Sequence, residues 1–420
     1  MVNSINIWRI IYSLLLFCIV FEEMFSRMIG HLTLVKYVLL LFILLRINLC
    51  KKKVNIYIPK RMLIFGCLLT IYMLFSIIDF FSYDFNGFML WKQYLFMPLF
   101  IYVFLHSEKI CKLSSKTLIT KFIRYEIIYS ILDVLLYFVY IPIWNSYQTY
   151  WGRIGVGYAT IDVVVMAFAL ILLWFYEQLK VCAFFKIVGG IILWGVLLCQ
   201  SSGTGLFTLL IVFLFSIIYI LGFKASKTNM IYVRKKSRIY ILASFFVIAF
   251  LSYSTILWMQ KNNNDMYLQL ENRAATLLNV SEYSSINVNT MEVRQEQFDE
   301  AYKYLVHDNL LRDIFGCGYG RIKVVPNGNT NVFFLESLFY IHRIAIGWIG
   351  TFFFYGLLIW ALVKAISKQS ANIGIYVYIP FAIILFGATF TSGAILSTGI
   401  AGVIGLIVAD YVNGISLKSS

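Results

Sequence analysis

Charged residues are scarce in this sequence. They make up 13% of its 420 residues, whereas 61% are hydrophobic and the mean hydropathy is +0.81. Soluble domains contain about a quarter charged residues, so the composition excludes a water-soluble globule. It also excludes a disordered chain, which would be poor in hydrophobic residues, and 26 glycines are too few for a collagen repeat.

Cysteine and histidine are also few, with seven and four residues respectively. Six of the cysteines lie in or beside apolar runs, and only Cys317 lies in a polar segment. Their spacing matches neither a disulfide framework nor a zinc motif, and no group of carboxylates has the pattern of metal ligands. We therefore expect no metal and no cofactor.

Hydrophobic runs of membrane length are abundant. A transmembrane helix needs about 20 apolar residues, and a helix satisfies all of its backbone hydrogen bonds within the segment. The sequence therefore predicts an all-α, polytopic integral membrane protein. Its twelve predicted transmembrane helices lie near residues 5–21, 31–50, 62–79, 88–106, 122–143, 161–176, 182–200, 204–223, 239–258, 347–365, 373–389 and 394–411.

Basic residues are distributed unevenly among the predicted loops. The net charge of +15 is scattered between apolar runs, whereas nucleic-acid binding needs basic residues gathered on one face. With the N-terminus inside, the inner loops carry fifteen Lys and Arg residues and the short outer loops carry only Arg27 and Arg153. The positive-inside rule then places both termini in the cytoplasm. The first apolar run lacks a small-residue cleavage site, so we expect it to be a retained span.

One long polar region interrupts the pattern of spans. We divide the chain into transmembrane helices 1–9 at residues 1–258, a large outer loop at 259–332, and a partly inserted, re-entrant segment with helices 10–12 at 333–420. Loops longer than about 15 residues are usually functional or disordered. This loop contains helical periodicity, which argues against disorder, so we expect function to reside in it.

Within this loop, residues 292–306 have the pattern of an amphipathic helix. Phe298, Ala301, Tyr302 and Leu305 share one face with Arg294, while the acidic residues face away. An arginine on the apolar side of such a helix is expected to point into the protein.

A glycine-rich turn follows this helix. Gly316, Gly318 and Gly320 alternate in Phe-Gly-Cys-Gly-Tyr-Gly, and glycine accepts positive φ at no steric cost. The turn lacks the preceding strand and the lysine of a nucleotide-binding loop, so we interpret it as a tight structural turn.

Five further ionisable residues are candidates for functional roles. An ionisable group in or near the membrane is energetically costly, so its presence often indicates a function. Lys92 either extends to the outer surface or binds an anionic headgroup, and Asp133 either makes a structural hydrogen bond or has a function. Arg153, in a predicted outer loop, is either solvated or binds phosphate oxygens in a bidentate manner. Glu336 and His342 lie in the apolar run just before the tenth predicted helix.

The chain resembles the O-antigen polymerase and ligase superfamily of bacterial membrane glycosyltransferases. Such proteins have many spans and one large periplasmic loop between late spans, an architecture of the GT-C type. The local resemblance begins with Arg294, which is followed by the aromatic Phe298 at +4 and the small residue Ala301 at +7. A glycine turn at residues 316–320 comes next. Two further landmarks lie upstream, at residues 153–155 and 199–205.

The chain departs from the family pattern at two positions, and the second departure favours a polymerase over a ligase. Where relatives often have Ser-Arg, this chain has Ser202-Gly203, and where many have His-Asn, it has Glu336-Ser337. The ligase-type histidine is therefore absent. A ligase that transfers glycan to lipid A core and a flippase or other transporter of lipid-linked sugars remain alternatives.

The resemblance implies glycosyl transfer between substrates held on undecaprenyl pyrophosphate, at the periplasmic face of the bacterial inner membrane. Arg294 and Arg153 would stabilise the pyrophosphate, with Lys92 as a lesser candidate. Glu336 would accept the proton of the acceptor hydroxyl, and His342 is the alternative base. The resemblance implies no metal requirement, and it implies as partners the lipid-linked glycans, the bilayer, a chain-length regulator and a flippase.

Overall fold

The structure is a computed structural model of the 420-residue chain. It describes residues 2–22, 24, 32–49, 86–140, 159–176, 179, 181–199, 203–221, 231–262, 267–268, 271, 290–318, 322–323, 333–335, 337–368, 374–391 and 397–419.

These residues are almost entirely helical, which confirms the predicted all-α class. Residues Ile322–Lys323 (β1) and Phe333–Phe334 (β2) form a two-residue parallel pair, and Gly374–Tyr378 form a π-helical turn before α13. The α-helices are α1 Val2–Val20, α2 Leu32–Leu49, α3 Asn86–Cys111, α4 Ser115–Tyr140, α5 Ala159–Phe175, α6 Ala183–Cys199, α7 Gly203–Leu221, α8 Ile231–Asn262, α9 Thr290–Leu305, α10 Leu310–Phe315, α11 Leu338–Ala345, α12 Gly347–Lys368, α13 Ile379–Thr391 and α14 Thr398–Ser419.

Helices occupy eleven of the twelve predicted spans, and the third, at 62–79, lies outside the described residues. Two helical segments, Thr204–Leu221 and Arg238–Asn262, are long and apolar enough to cross a membrane by length and composition. Five shorter apolar helical segments accompany them. These helices support association with a membrane. The total of twelve membrane-spanning helices stays a prediction.

Helix α5 forms the centre of the helical bundle. Every residue from Ile161 to Tyr176 is buried, as expected of a helix that is hydrophobic all round. It packs against α4, α6, α7, α13 and α14. Its one charged residue, Asp162, lies in its first turn.

Helices α3 and α14 pack closely against each other. A β-carbon at Gly405 of α14 would approach the β-carbon of Phe100 in α3 to 2.6 Å. Small residues at such crossings let helix backbones approach closely, and they are enriched where helices associate in membranes.

Several bundle helices expose large apolar side chains. In α2, Leu34 and Phe42 are 60% and 53% exposed, and in α8, Phe246 and Phe250 are 78% and 70% exposed. Soluble monomers rarely expose apolar patches that extend along a helix. These surfaces are suited to contact with lipid.

A second, smaller core lies under α9 and α11. Its buried residues come from α9, β1, the chain before α11, and α11 with its C-cap: Ala301, Leu305, Ile322, Leu335, Ile341, Ile344, Ala345 and Ile346. This core joins α9 to the segment that precedes α12.

Candidate functional site

The amphipathic face predicted for α9 is confirmed. Ala301 and Leu305 are buried, while Glu296, Asp299, Glu300 and Lys303 are exposed. Arg294 lies on the buried side and is itself half-buried. A guanidinium in such a position keeps its charge and is only partly hydrated, which suits it to binding an anion.

The N-terminal half of α9 docks on the start of α11. The Tyr340 hydroxyl donates a 2.6 Å hydrogen bond to Oε1 of Gln295, and the rings of Phe298 and Tyr340 stack at 4.6 Å. Burial and the charge of Asp299 raise the pKa of Tyr340, and the nearby positive charge of Arg294 opposes them. Arg294 therefore lies within electrostatic range of the first turn of α11.

The start of α11 is fixed to the bundle. The Ser337 hydroxyl accepts a 3.4 Å hydrogen bond from the Tyr340 amide as the N-cap of α11, and it donates one of 3.1 Å to the Thr389 carbonyl at the end of α13. Leu335 and Ser337 are both buried. Glu336, the predicted base, lies outside the described residues.

The chain reverses sharply between α9 and α10. His307 and Asp308 both have positive φ, at 48° and 56°. The Asn309 side chain then accepts hydrogen bonds from the amides of Leu311 and Arg312, which begins α10 with a conventional N-cap.

The glycine turn after α10 docks on the end of α11. Gly316 and Gly318 have φ of 90° and 83°. The amides of Cys317 and Gly318 donate hydrogen bonds of 2.8 and 2.9 Å to the carbonyls of Ile344 and Ala345. The turn thus satisfies acceptors that a helix end leaves open.

Two glycines permit this docking. A β-carbon at Gly316 would overlap the Ala345 carbonyl, and one at Gly347, where φ is 63°, would overlap the Ile314 carbonyl. The predicted third glycine of the turn, Gly320, lies outside the described residues.

A buried arginine lies behind the turn. One terminal nitrogen of Arg343 donates a 2.6 Å hydrogen bond to Oδ1 of Asp313, and the guanidinium carbon lies 3.9 Å from the centroid of the Trp348 ring. Tyr302 donates a 2.7 Å hydrogen bond to the same Asp313 oxygen. We call these four residues the Arg343 cluster; it ties α9, α10, α11 and α12 together.

Within the Arg343 cluster, the hydrogen bonds to Asp313 oppose the effect of burial on its carboxylate. Burial alone would raise the pKa of Asp313, but the hydrogen bonds from Arg343 and Tyr302 outweigh it and hold that pKa below its usual value. The hydrogen bond to Asp313, together with burial, raises the pKa of Tyr302. Asp313 therefore neutralises the charge of Arg343 within the Arg343 cluster.

No family model, curated protein or solved structure matches the chain. Within the described part of the chain, no three His, Cys, Asp or Glu side chains come together in a way that could hold a metal ion.

His342 is enclosed by aromatic rings. Its side chain has no exposed surface, and its ring lies 4.5 Å from the Phe354 ring and 5.8 Å from the Tyr355 ring. Burial lowers the pKa of His342 to about 3, so the imidazole is neutral at physiological pH. In this arrangement a substrate hydroxyl has no route to it.

The remaining candidates are only partly placed. Arg153 lies outside the described residues, and Lys92 lies in α3 with its side chain outside them. Arg294, the glycine turn and His342 are brought together in one unit by α11. Asp133 is fully buried in α4, away from this unit.

The sequence analysis missed the Arg343 cluster. Arg343 is noticeable as a charge in an apolar run, but its partner is 30 residues earlier in another short helix. No periodicity or motif links the two positions.

Proposed function

We propose that this protein is a membrane glycosyltransferase that polymerises undecaprenyl-pyrophosphate-linked repeat units into O-antigen or a related surface polysaccharide. It is a multi-pass protein of the bacterial inner membrane with about twelve spans and both termini in the cytoplasm, and it acts at the periplasmic face. The apolar helices, their exposed apolar surfaces and the positive-inside charge distribution support this topology.

The single observation that carries the proposal is the position of Arg294. It is half-buried on the apolar side of an outer-loop helix, and this helix is held to the bundle through α11 and Ser337. Cleavage of a glycosyl–pyrophosphate bond develops negative charge on the leaving group. A fixed, partly dehydrated cation stabilises that charge better than a solvated one.

The reaction needs only groups of the chain and its two substrates. A hydroxyl oxygen of the incoming repeat unit forms a bond to the anomeric carbon of the growing chain, and the bond from that carbon to pyrophosphate breaks. Undecaprenyl pyrophosphate leaves with the bonding electron pair, stabilised by Arg294, with Arg153 and Lys92 as further candidates. The hydroxyl proton passes to Glu336, the expected general base.

His342 is the weaker candidate for the base. It is completely buried among aromatic rings and its pKa is near 3, whereas an effective base at neutral pH has a pKa near 7. We assign it a packing role instead.

A transporter of lipid-linked sugars is the second candidate, because the bundle contains buried carboxylates. Glu126, Asp133 and Asp162 are each at most 3% exposed, and ionisable groups inside membranes often mark transport pathways. A transporter, however, would give no role to the half-buried Arg294 of the outer loop.

Deletion of the gene in its native host tests the proposal, with surface and lipid-linked glycans analysed on gels. A single repeat unit on the lipid A core with no ladder is the expected result. Long glycan retained on undecaprenyl pyrophosphate would instead establish a ligase. Single units that accumulate at the cytoplasmic face would establish a transporter.

A further inference from the structure

A small acidic cavity lies inside the helical bundle, apart from the outer-loop unit. Three carboxylates line it: Glu22 just after α1, Glu126 in α4 and Asp162 in α5. Gly399 of α14 forms part of its wall. The described contacts place it where α1, α4, α5 and α14 meet.

Two of the three carboxylates have hydrogen-bond donors. Glu22 accepts hydrogen bonds from the ammonium of Lys36 and from the hydroxyl of Thr398. Oδ1 of Asp162 accepts a 2.8 Å hydrogen bond from the Tyr129 hydroxyl. These contacts fix the cavity wall.

The third carboxylate, Glu126, is different. It is 1% exposed, and neither of its oxygens has a hydrogen-bond donor among the described residues. Asp133, one heptad further along α4, adds negative charge nearby and is itself fully buried. A buried carboxylate without a donor or a counter-charge is strongly unfavourable.

Glu126 adds negative charge that the described residues around the cavity do not offset. When ionised, it has no hydrogen-bond donor among them, and the charged group that acts on it, Asp133, is also negative. An excess of negative charge inside a membrane-embedded bundle requires a compensating cation.

The size of the cavity limits what can compensate it. Its volume is about 10 Å³, close to the room that one water-sized sphere needs. No three acidic, histidine or cysteine side chains of the described residues converge as metal ligands, so a multi-carboxylate divalent site is not formed. We propose that the cavity binds a small monovalent cation, a proton or a sodium ion, on the carboxylate of Glu126.

Thermal unfolding of the purified full-length protein in detergent tests this inference. Sodium chloride is replaced stepwise by choline chloride at constant ionic strength, and the same protein is then followed across neutral pH. Glu126→Gln removes the charge and keeps the shape, and Glu108→Gln, at an exposed position of α3, is the matched control.

Gly399→Ala provides a second variant that does not alter charge. An added β-carbon would lie 3.6 Å from Cγ2 of Ile161 and 3.7 Å from the Ile19 carbonyl, which are ordinary contacts. Both of these residues line the cavity. The methyl group therefore fits the backbone and fills the space that a sodium ion would occupy, whereas a proton needs no such space.

If sodium is the ligand, saturating sodium raises the Tm of the wild type by about 3 °C or more. Both Glu126→Gln and Gly399→Ala lose that shift, and Glu108→Gln retains it. If the ligand is a proton, the Tm of the wild type and of Gly399→Ala falls as the pH rises, and Glu126→Gln lacks that dependence. Asp133 and Tyr129 interact electrostatically with Glu126 in this titration, and Glu22, which is paired with Lys36, and Asp162 line the same cavity.

Equal responses of the wild type and Glu126→Gln to both sodium and pH would overturn the inference, because the cavity would then hold only water. If Glu126→Gln fails to fold, the sodium-dependent shift in Tm is compared between the wild type and Gly399→Ala instead. A wild-type Tm that is insensitive to both sodium and pH overturns the whole inference. No glycan is measured, so this outcome is independent of the proposed polymerase activity.

Discussion

The guanidinium of Arg343 is held between a carboxylate and an indole: it donates a 2.6 Å hydrogen bond to Asp313 and lies over the ring of Trp348 at 3.9 Å. The two partners belong to different helices, α10 and α12. This one side chain therefore joins α10 to α12.

Replacement of Arg343 by alanine is expected to destabilise this unit. It leaves the carboxylate of Asp313, whose side chain is 20% exposed, without its cation. Removal of one partner of a largely buried ion pair costs about 3 kcal/mol. We expect a clearly lower Tm in detergent, together with loss of polymer.

The control for this prediction is Lys303→Ala, because Lys303 is an exposed cation on the opposite side of α9. Its Tm should equal that of the wild type. An unchanged Tm in Arg343→Ala would show that the Arg343 cluster does not support the fold.

Replacement of Gly316 by alanine should prevent stable folding. Gly316 has φ 90° and ψ 171°, a region that essentially only glycine adopts, and the new methyl group would overlap the Ala345 carbonyl. We expect a loss of about 3 kcal/mol or more. The amount of protein extracted in folded form from membranes measures this effect.

Gly356→Ala is the matched control on the neighbouring helix α12. A β-carbon there meets nothing within 4 Å, and alanine is favoured over glycine within a helix by about 1 kcal/mol. This variant should fold at least as well as the wild type. Equal yields of Gly316→Ala and Gly356→Ala would contradict the description of the glycine turn.

Acid should destabilise the protein through His342. Its pKa is about 3 in the folded protein, against 6.5 when unperturbed. Below pH 6.5 the imidazole of His342 is protonated in the unfolded state but stays neutral in the folded state. The free energy of unfolding therefore falls as the pH drops from 6.5 toward 3. Each pH unit costs about 1.4 kcal/mol at this site.

A His342→Phe variant isolates this contribution, since an aromatic ring should pack against Phe354 and Tyr355 without titrating. Its Tm should fall less steeply than that of the wild type between pH 6.5 and pH 4. Above pH 7 the difference between the two proteins should stay constant. Parallel acid slopes would mean that His342 does not titrate in this way.

The helices of the bundle could be predicted from the sequence because their signal is local. An apolar run of about 20 residues specifies a helix without reference to any other segment. The buried face of α9 was predictable for the same reason, since Arg294, Ala301 and Leu305 follow a helical period.

The contacts between segments could not be predicted in this way. The hydrogen bond between Glu22 and Thr398 joins positions 376 residues apart, and the ion pair of Arg343 with Asp313 joins two short helices across the glycine turn. Such pairs depend on how the helices pack. The glycines at 316–320 predict a turn. They do not predict that the backbone at Gly347 packs against Ile314 and Gly316.

The central claim is that Arg294 stabilises the leaving pyrophosphate, and complementation of the gene deletion with Arg294→Ala tests it most directly. The variant and the control Lys303→Ala are compared at equal membrane levels and equal Tm, and the surface glycan is analysed on a gel. A single repeat unit is expected for Arg294→Ala, and a full ladder is expected for Lys303→Ala. A full ladder of normal length from Arg294→Ala would contradict it.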